Sequence, residues 1–241
     1  MRWQPNHAQR QHVQLFCDMN PKHRRTEEED LDRDDAPQIP VGGLNVESAA
    51  AAAAARTRQT NHHALLQLYV TRLRMNDPPL SELNLTRTEL GDAGATLLAR
   101  ALCLNSTLTS LNLSETDVGD AGETELGTAL RINSSITELN LKYSRGNNAG
   151  ATELAGALRV NSCLTSLDLE CHHGIDCARA TELSGALCVN YSLRTLDLSL
   201  DNVGDDGATE LAGALRVKLS LQELHLPMNG MGDAGARQLL G

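Results

Sequence analysis

Residues 108–113 read Leu108-Thr109-Ser110-Leu111-Asn112-Leu113, and this spacing of leucines occurs six times in the chain. Successive segments begin 28, 28, 28, 29 and 28 residues apart. In each segment the second and third leucines alternate with polar residues, which is typical of a strand with one buried and one wet face. A fixed period of this length predicts a solenoid of stacked repeats. The six segments begin at Leu80, Leu108, Ile136, Leu164, Leu193 and Leu221.

The second half of each repeat has the pattern of a helix. Leucines such as Leu154 and Leu158 recur at i and i+4, so they share one helix face. An aspartate in a Gly-Asp motif precedes four of the helices, and we expect it to cap its own helix. An asparagine follows most helices, and we expect it to end them in the left-handed conformation. These residues are Asp92, Asp120, Asp205 and Asp233, and Asn105, Asn133, Asn161 and Asn190.

One such repeat cannot bury its leucines alone, so neighbouring repeats must share a core. The sequence therefore predicts an α/β solenoid, a horseshoe with a parallel sheet on the concave face and helices on the convex face. We expect six repeats over residues 80–241. Residues 45–79, which contain seven consecutive alanines, are predicted to be a helical N-terminal cap region. Residues 1–44 combine prolines with runs of charge and are predicted to be a disordered tail.

Composition argues against several classes of function. A net charge of −10 and an aromatic content of 2% disfavour binding to phosphate backbones or to stacked bases, so no nucleic-acid partner is expected. No stretch is long and apolar enough for a membrane span, and no membrane partner is expected. Six cysteines without CxxC spacing and the lack of a signal-peptide pattern indicate free thiols and a cytoplasmic location.

The strand and helix motifs together resemble the ribonuclease-inhibitor type of leucine-rich repeat, which also occurs in NOD-like receptors and in the Ran GTPase-activating protein. The resemblance covers residues 80–241 and implies a protein-binding concave face. One position departs from the family pattern, which usually has Asn or Cys three residues after the last strand leucine. Of the residues found there, only the last fits: Thr88, Thr116, Ser144, His172, Asp201 and Asn229.

The residues that flank the strand leucines are the candidate partner-binding side chains. Seven of these flanking positions are acidic and two, Arg87 and Lys142, are basic, so the face should attract a basic protein surface. Tyr143, Leu200 and Met228 could be apolar anchors within it. The predicted partner-binding residues are Glu82, Asn84, Asn112, Glu115, Glu138, Asn140, Tyr143, Asp168, Glu170, Asp197, Leu200, Glu223 and His225.

Catalytic chemistry finds little support in the sequence. Phosphate-loop, zinc-protease, serine-hydrolase and dinucleotide motifs are absent, and we assign no catalytic residue, cofactor or metal. Cys171, His172, His173 and Cys177 offer zinc-type ligands within seven residues. Their spacing matches no standard zinc pattern, and an irregular loop between strand and helix is the alternative explanation.

The sequence therefore predicts a non-catalytic protein-interaction module that binds a partner on an acidic concave face. The alternatives are a GTPase-activating protein like the Ran regulator, an inhibitor of a basic ribonuclease, and a fragment of a NOD-like-receptor-type regulator. No polar cap follows the sixth repeat, around Leu224, Leu226, Leu239 and Leu240. Either the chain is a fragment, or this open edge packs on a partner or on the chain itself, or it frays.

Overall fold

A computed structural model describes residues 14–16, 63–146, 148–172, 175–217 and 220–240 of the chain. A short strand and the described part of a first helix, α1 (63–74), precede six strand–helix repeats. The strands are β1 (Gln14–Phe16), β2 (Glu82–Asn84), β3 (Ser110–Asn112), β4 (Glu138–Asn140), β5 (Ser166–Asp168), β6 (Thr195–Asp197) and β7 (Glu223–His225). The repeat helices are α2 (Gly91–Leu102), α3 (Asp120–Leu130), α4 (Asn148–Leu158), α5 (Cys177–Leu187), α6 (Gly204–Val217) and α7 (Asp233–Leu240).

The strands form one parallel sheet in the order β1-β7-β6-β5-β4-β3-β2. The central leucine of every repeat pairs with the central leucine of the next, as Leu111 does with Leu139 and Leu139 with Leu167. This register places all the strand leucines on one face of the sheet, where they are almost fully buried. The predicted α/β solenoid with a parallel sheet is confirmed.

The core lies between the sheet and the helices and runs through every repeat. Helix leucines such as Leu126, Leu154 and Leu183 are each at most 1% exposed and belong to the same buried cluster as the strand leucines. Each fully buried leucine side chain contributes roughly 1.5–3 kcal/mol. Because neighbouring repeats share these leucines, the repeats stabilise one another.

The asparagines that follow the helices do not end them in the left-handed conformation, so that expectation is wrong. They are buried and link the repeats instead. Asn161 donates from Nδ2 to the carbonyls of Leu130 (2.7 Å) and Asn133 (3.1 Å), and its Oδ1 accepts from the N–H of Cys163 and Leu164. A left-handed residue would turn the chain away from the next strand, whereas this amide satisfies backbone groups of two repeats at once. Asn105, Asn133 and Asn190 make equivalent contacts.

The aspartates of the Gly-Asp motif also differ from expectation, because they cap the helix of the following repeat. Asp92 Oδ1 accepts from the N–H of Gly119 (2.7 Å) and Gly122 (3.0 Å), at the start of α3. Asp205 does the same for α7, and Asp120 accepts from an N–H in α4. The carboxylate lies in the first turn of its own helix, and the free N–H groups of the neighbouring helix face it.

At the N-terminal side, α1 covers the first repeat. Val70 and Leu73 are buried against it, while Leu65, Leu68 and Met75 are exposed. Residues 45–62 of the predicted cap region lie outside the described residues. In the described part of the chain, none of the helices combines the length and the apolar character needed to cross a membrane.

The outer edge of β7 is covered by a segment of the chain itself, which is one of the alternatives expected for this end. Strand β1 pairs with it in parallel, with Gln14 opposite Glu223 and Phe16 opposite His225. An unpaired strand edge offers N–H and C=O groups that any extended segment can satisfy. These three residues are the described part of residues 1–44, and the rest of that predicted tail lies outside the described residues. Leu224 and Leu226 are buried, whereas Leu240 is 76% exposed.

Candidate partner-binding face

We call the side of the sheet turned away from the helices the concave face. It carries the residues that flank the strand leucines. In five of the six repeats the last strand residue accepts, through its side-chain oxygen, the backbone N–H two residues later at 2.8–3.0 Å. Such a contact fixes the turn that leaves the strand. The five residues are Asn84, Asn112, Asn140, Asp168 and Asp197.

These five residues were predicted as partner-binding side chains, and sequence reasoning missed their structural task. Each has one oxygen committed to its own turn, so only the rest of the amide or carboxylate faces outward. His225 occupies the same position in the sixth repeat, and its Nε2 lies 3.8 Å from Glu223 Oε2. The recurrence of Asn or Asp directly after the central strand leucine is the signal that could have indicated these turns.

Both basic residues of the concave face are paired with an acidic residue of the next repeat. Arg87 Nε contacts Glu115 Oε2 at 3.0 Å, and this hydrogen bond lowers the pKa of Glu115 and raises that of Arg87. Lys142 contacts Glu170. Burial lowers the pKa of Lys142, but the hydrogen bond and the charge of Glu170 outweigh it, so the pKa is raised overall. Neither cation is left to balance the other carboxylates.

The centre of the concave face concentrates negative charge. Asp168, Glu170 and Asp197 each place a carboxylate oxygen within 4.8 Å of the others. Burial raises the pKa of Asp168, and the neighbouring Asp197 and Glu170 raise it further, while the backbone N–H of Glu170 opposes the shift. Asn140 Nδ2 donates to the same carboxylate at 3.0 Å. Like charges are therefore held together on adjacent strands.

The remaining predicted acidic residues lie at the strand starts. Glu82, Glu138 and Glu223 are exposed, and each begins its strand. Glu138 accepts a hydrogen bond from Ser110 Oγ at 3.1 Å, and no ion pair to Lys or Arg is found for these three among the residues that the structure describes. The predicted acidic residues thus share one face. The basic side chains on that face are Arg87 and Lys142, and both are paired.

The predicted apolar residues lie at the turns that follow the strands. Tyr143 is 41% exposed, and the Lys142 ammonium lies 5.1 Å from its ring centroid. Met228 is 63% exposed, and Leu200 is half-buried. Lys142 therefore joins the aromatic ring to the carboxylate of Glu170, so the apolar and acidic residues are neighbours.

Of the residues considered for zinc, the three that the structure describes, Cys171, His172 and Cys177, do not form a metal-binding cluster with one another. His172 is fully buried, and its Nε2 lies 2.8 Å from Oε2 of Glu123, which is also fully buried. Cys177 is exposed at the start of α5, and His173 lies outside the described residues. Burial raises the pKa of the Cys171 thiol, and the carboxylates of Asp201 and Glu170 add to the effect. These surroundings disfavour the thiolate that zinc needs.

Comparisons with known proteins agree with this architecture. The leucine-rich-repeat family model matches residues 76–99, 104–126, 189–212 and 217–240. No curated protein sequence matches the chain. Among solved structures, leiomodin-1 actin-binding site 2 has a TM-score of 0.54 and 22% identity over 61% of this chain and 86% of its own. The tropomodulin C-terminal domain of Caenorhabditis elegans has a TM-score of 0.55 and 17% identity over 63% of this chain and 92% of its own.

At these identities the two structures establish a shared fold only. The family match covers four of the six repeats, and the strand register described above is the same in all six. The chain is a leucine-rich-repeat protein.

Proposed function

We propose that the chain is a non-catalytic interaction module that binds a basic protein surface on its concave face. The observation that carries this proposal is the imbalance of charge on that face. Both cations are already paired, whereas Glu82, Glu138, Asp168, Asp197 and Glu223 add uncompensated negative charge.

A partner that brings Lys or Arg to this face would relieve the repulsion between Asp168 and Asp197, which are directly paired across β5 and β6. Such complementarity accelerates association and selects against acidic partners. The rigid sheet supports the proposal, because a preformed surface is not reorganised when the partner binds. A leiomodin-1 domain of this fold is named an actin-binding site, so a solenoid of similar size can serve protein binding.

The test compares two charge-reversal variants of the full chain that change the net charge equally. Glu138→Lys with Glu223→Lys alters the concave face, and Asp206→Lys with Glu210→Lys alters the exposed side of α6. Proteins captured from lysate by the wild type should be retained by the α6 variant and lost by the concave variant. Their binding should also weaken as ionic strength rises.

Recovery of the same proteins by all three forms would contradict the proposal. So would a captured set that is insensitive to salt, because exposed charges are screened at about 10 Å in 0.1 M salt.

A further inference from the structure

The turns that leave the strands hold one residue per repeat in the left-handed backbone conformation. Their φ angles lie between 54° and 61°. Glycine and asparagine adopt this conformation at little cost, whereas other residues lose roughly 1 kcal/mol or more. None of the six residues is glycine or asparagine. They are Arg87, Glu115, Tyr143, Cys171, Leu200 and Met228, and we call them the turn row.

The chemistry of the turn row changes along the solenoid. Arg87 and Glu115 neutralise each other in the first two repeats. The next four residues are apolar or weakly polar, and Tyr143 and Met228 are substantially exposed. Exposed apolar side chains in a costly conformation bury little surface in the fold. Their position therefore favours contact with something outside the chain.

The spacing of the turn row is set by the sheet. The N–H of Tyr143 donates to the carbonyl of Glu170 at 2.9 Å, and the N–H of Leu200 donates to that of Pro227 at 2.9 Å. Cys171 makes the equivalent bond to Ser199. Because the hydrogen bonds between repeats continue through these turns, neighbouring side chains keep the strand spacing of about 4.8 Å.

This spacing discriminates between shapes of partner. A helix laid across the strands presents one side chain per turn, every ~5.4 Å. Its mismatch with the strand spacing adds up to only about 2 Å over four repeats. An extended segment presents same-side residues every ~6.7 Å and falls out of step by about 6 Å. The helix therefore matches the four apolar positions of the turn row better.

The negative charge beside the turn row indicates which side chains the partner should carry next to its apolar ones. Asp168, Glu170, Asp197 and Glu223 belong to the fourth, fifth and sixth repeats, and Lys142 of the third repeat contacts both Glu170 and the ring of Tyr143. The apolar residues of the turn row thus lie beside these carboxylates. A helix with apolar side chains on one stripe and Lys or Arg on the adjacent stripe complements both.

We propose that the third to sixth repeats bind a basic amphipathic helix of a partner protein, with its apolar stripe on Tyr143, Leu200 and Met228. The inference rests on the proposed function and specifies the partner's shape. The probe is a fluorescein-labelled peptide of about five helical turns, composed of Leu and Lys with the leucines at helical spacing. A second peptide of the same composition alternates Leu and Lys, as a strand would. Fluorescence anisotropy should show at least tenfold tighter binding of the helical peptide to the full chain.

A triple variant removes the apolar surface without disturbing the turns. In Tyr143→Asn, Leu200→Asn, Met228→Asn, asparagine suits the left-handed conformation, so the thermal unfolding transition should be retained. Its affinity for the helical peptide should fall at least tenfold. The matched control replaces three exposed aliphatic residues near the helix ends, Ile132→Asn, Val160→Asn and Val217→Asn, and should bind as the wild type does.

Equal affinity for the two peptides, or an equal loss in the control triple, would overturn the inference. The concave variant Glu138→Lys with Glu223→Lys separates it from the proposed function. If that variant loses the peptide while the turn-row triple keeps it, the acidic face binds basic ligands without the apolar row. The inference then fails and the proposed function stands. If both variants keep the full affinity for the helical peptide, the inference and the proposed function are both wrong.

Discussion

Asp168 at the end of β5 faces Asp197 at the end of β6, and both also fix the turns that follow their strands. The first three repeats place asparagine at this position, where an amide makes the same turn contact without charge. Asparagine would make the same turn contact, whereas the second oxygen of Asp168 also accepts from Asn140 Nδ2 and its charge adds repulsion. A charge that costs stability in the free protein is consistent with selection for a cationic partner.

Asp168→Asn should stabilise the free protein at neutral pH by about 0.5 kcal/mol, because it removes a like-charge pair on adjacent strands. Since the pKa of Asp168 is raised in the folded state, its contribution to stability is full below the usual Asp pKa and is lost as pH rises through the folded pKa. The gain should thus vanish in acid. Urea unfolding at pH 7 and at about pH 3 measures both values.

Glu210→Gln on the exposed side of α6 removes the same charge and is the control. A gain of equal size in the control, or a gain at pH 7 that persists in acid, would show that repulsion at Asp168 is not the cause.

Three helices of this solenoid, α3, α4 and α7, are capped by an aspartate of the preceding repeat. Asp205 lies in the first turn of α6, yet its Oδ1 accepts from the N–H of Gly232 at 2.8 Å and of Gly235 at 2.9 Å at the start of α7. Asp176 in the fourth repeat is an exception, because it caps its own helix through the N–H of Arg179. This repeat is the one with 29 residues, and the segment before its helix contains no Gly-Asp pair.

Asp205→Ala should loosen α7 more than α6, since the lost cap belongs to α7. The expected cost is about 1 kcal/mol. Hydrogen exchange should accelerate over residues 232–240 and change little over α6. Asp206→Ala, at an exposed position in the same helix turn, is the control. Faster exchange at the start of α6 instead would support the expectation that Asp205 caps its own helix.

The sequence predicts the elements well and their linking contacts poorly. The leucine register determines all six repeat strands, because a shift by one residue would expose every buried leucine. The roles of Asp92 and Asn161 were misassigned because rules for caps consider partners within a few residues. The partners of the Asp92 carboxylate and of Asn161 Nδ2 lie 27 to 31 residues away, in the adjacent repeat. The candidate residues of the concave face were chosen from the sequence, as those that flank the strand leucines. The pairing of Lys142 with Glu170 and the turn contact of Asp168 required coordinates.

Three repeats are joined across the core by one buried carboxylate. Glu123 of α3 replaces the alanine found at this helix position in the other repeats. It accepts from Ser144 Oγ at 2.7 Å and contacts His172 Nε2 at 2.8 Å, and all three residues are fully buried. Gly146 and Gly150 provide the space, since a Cβ at either would collide with the carboxylate. The second, third and fourth repeats are thereby coupled beyond nearest neighbours.

Glu123→Ala should destabilise the whole chain by about 3 kcal/mol, because it leaves His172 buried without its partner. Adding His172→Thr, the residue type at positions 88 and 116, should recover part of this loss. A double-mutant cycle by urea unfolding measures the coupling. Glu153→Ala, which breaks the half-exposed pair with Arg131, should cost less than about 1 kcal/mol. Strict additivity of the two core changes would refute the link across repeats.

The buried asparagine ladder has a consequence for covalent modification. Asn105, Asn133 and Asn190 each stand two residues before Ser or Thr, which makes them acceptor sequences for N-linked sugars. Each is at most 5% exposed, and its Nδ2, the atom that would carry the glycan, donates to backbone carbonyls of the preceding repeat. The folded solenoid therefore shields these sites from an oligosaccharide transferase, and a sugar added before folding would keep adjacent repeats apart.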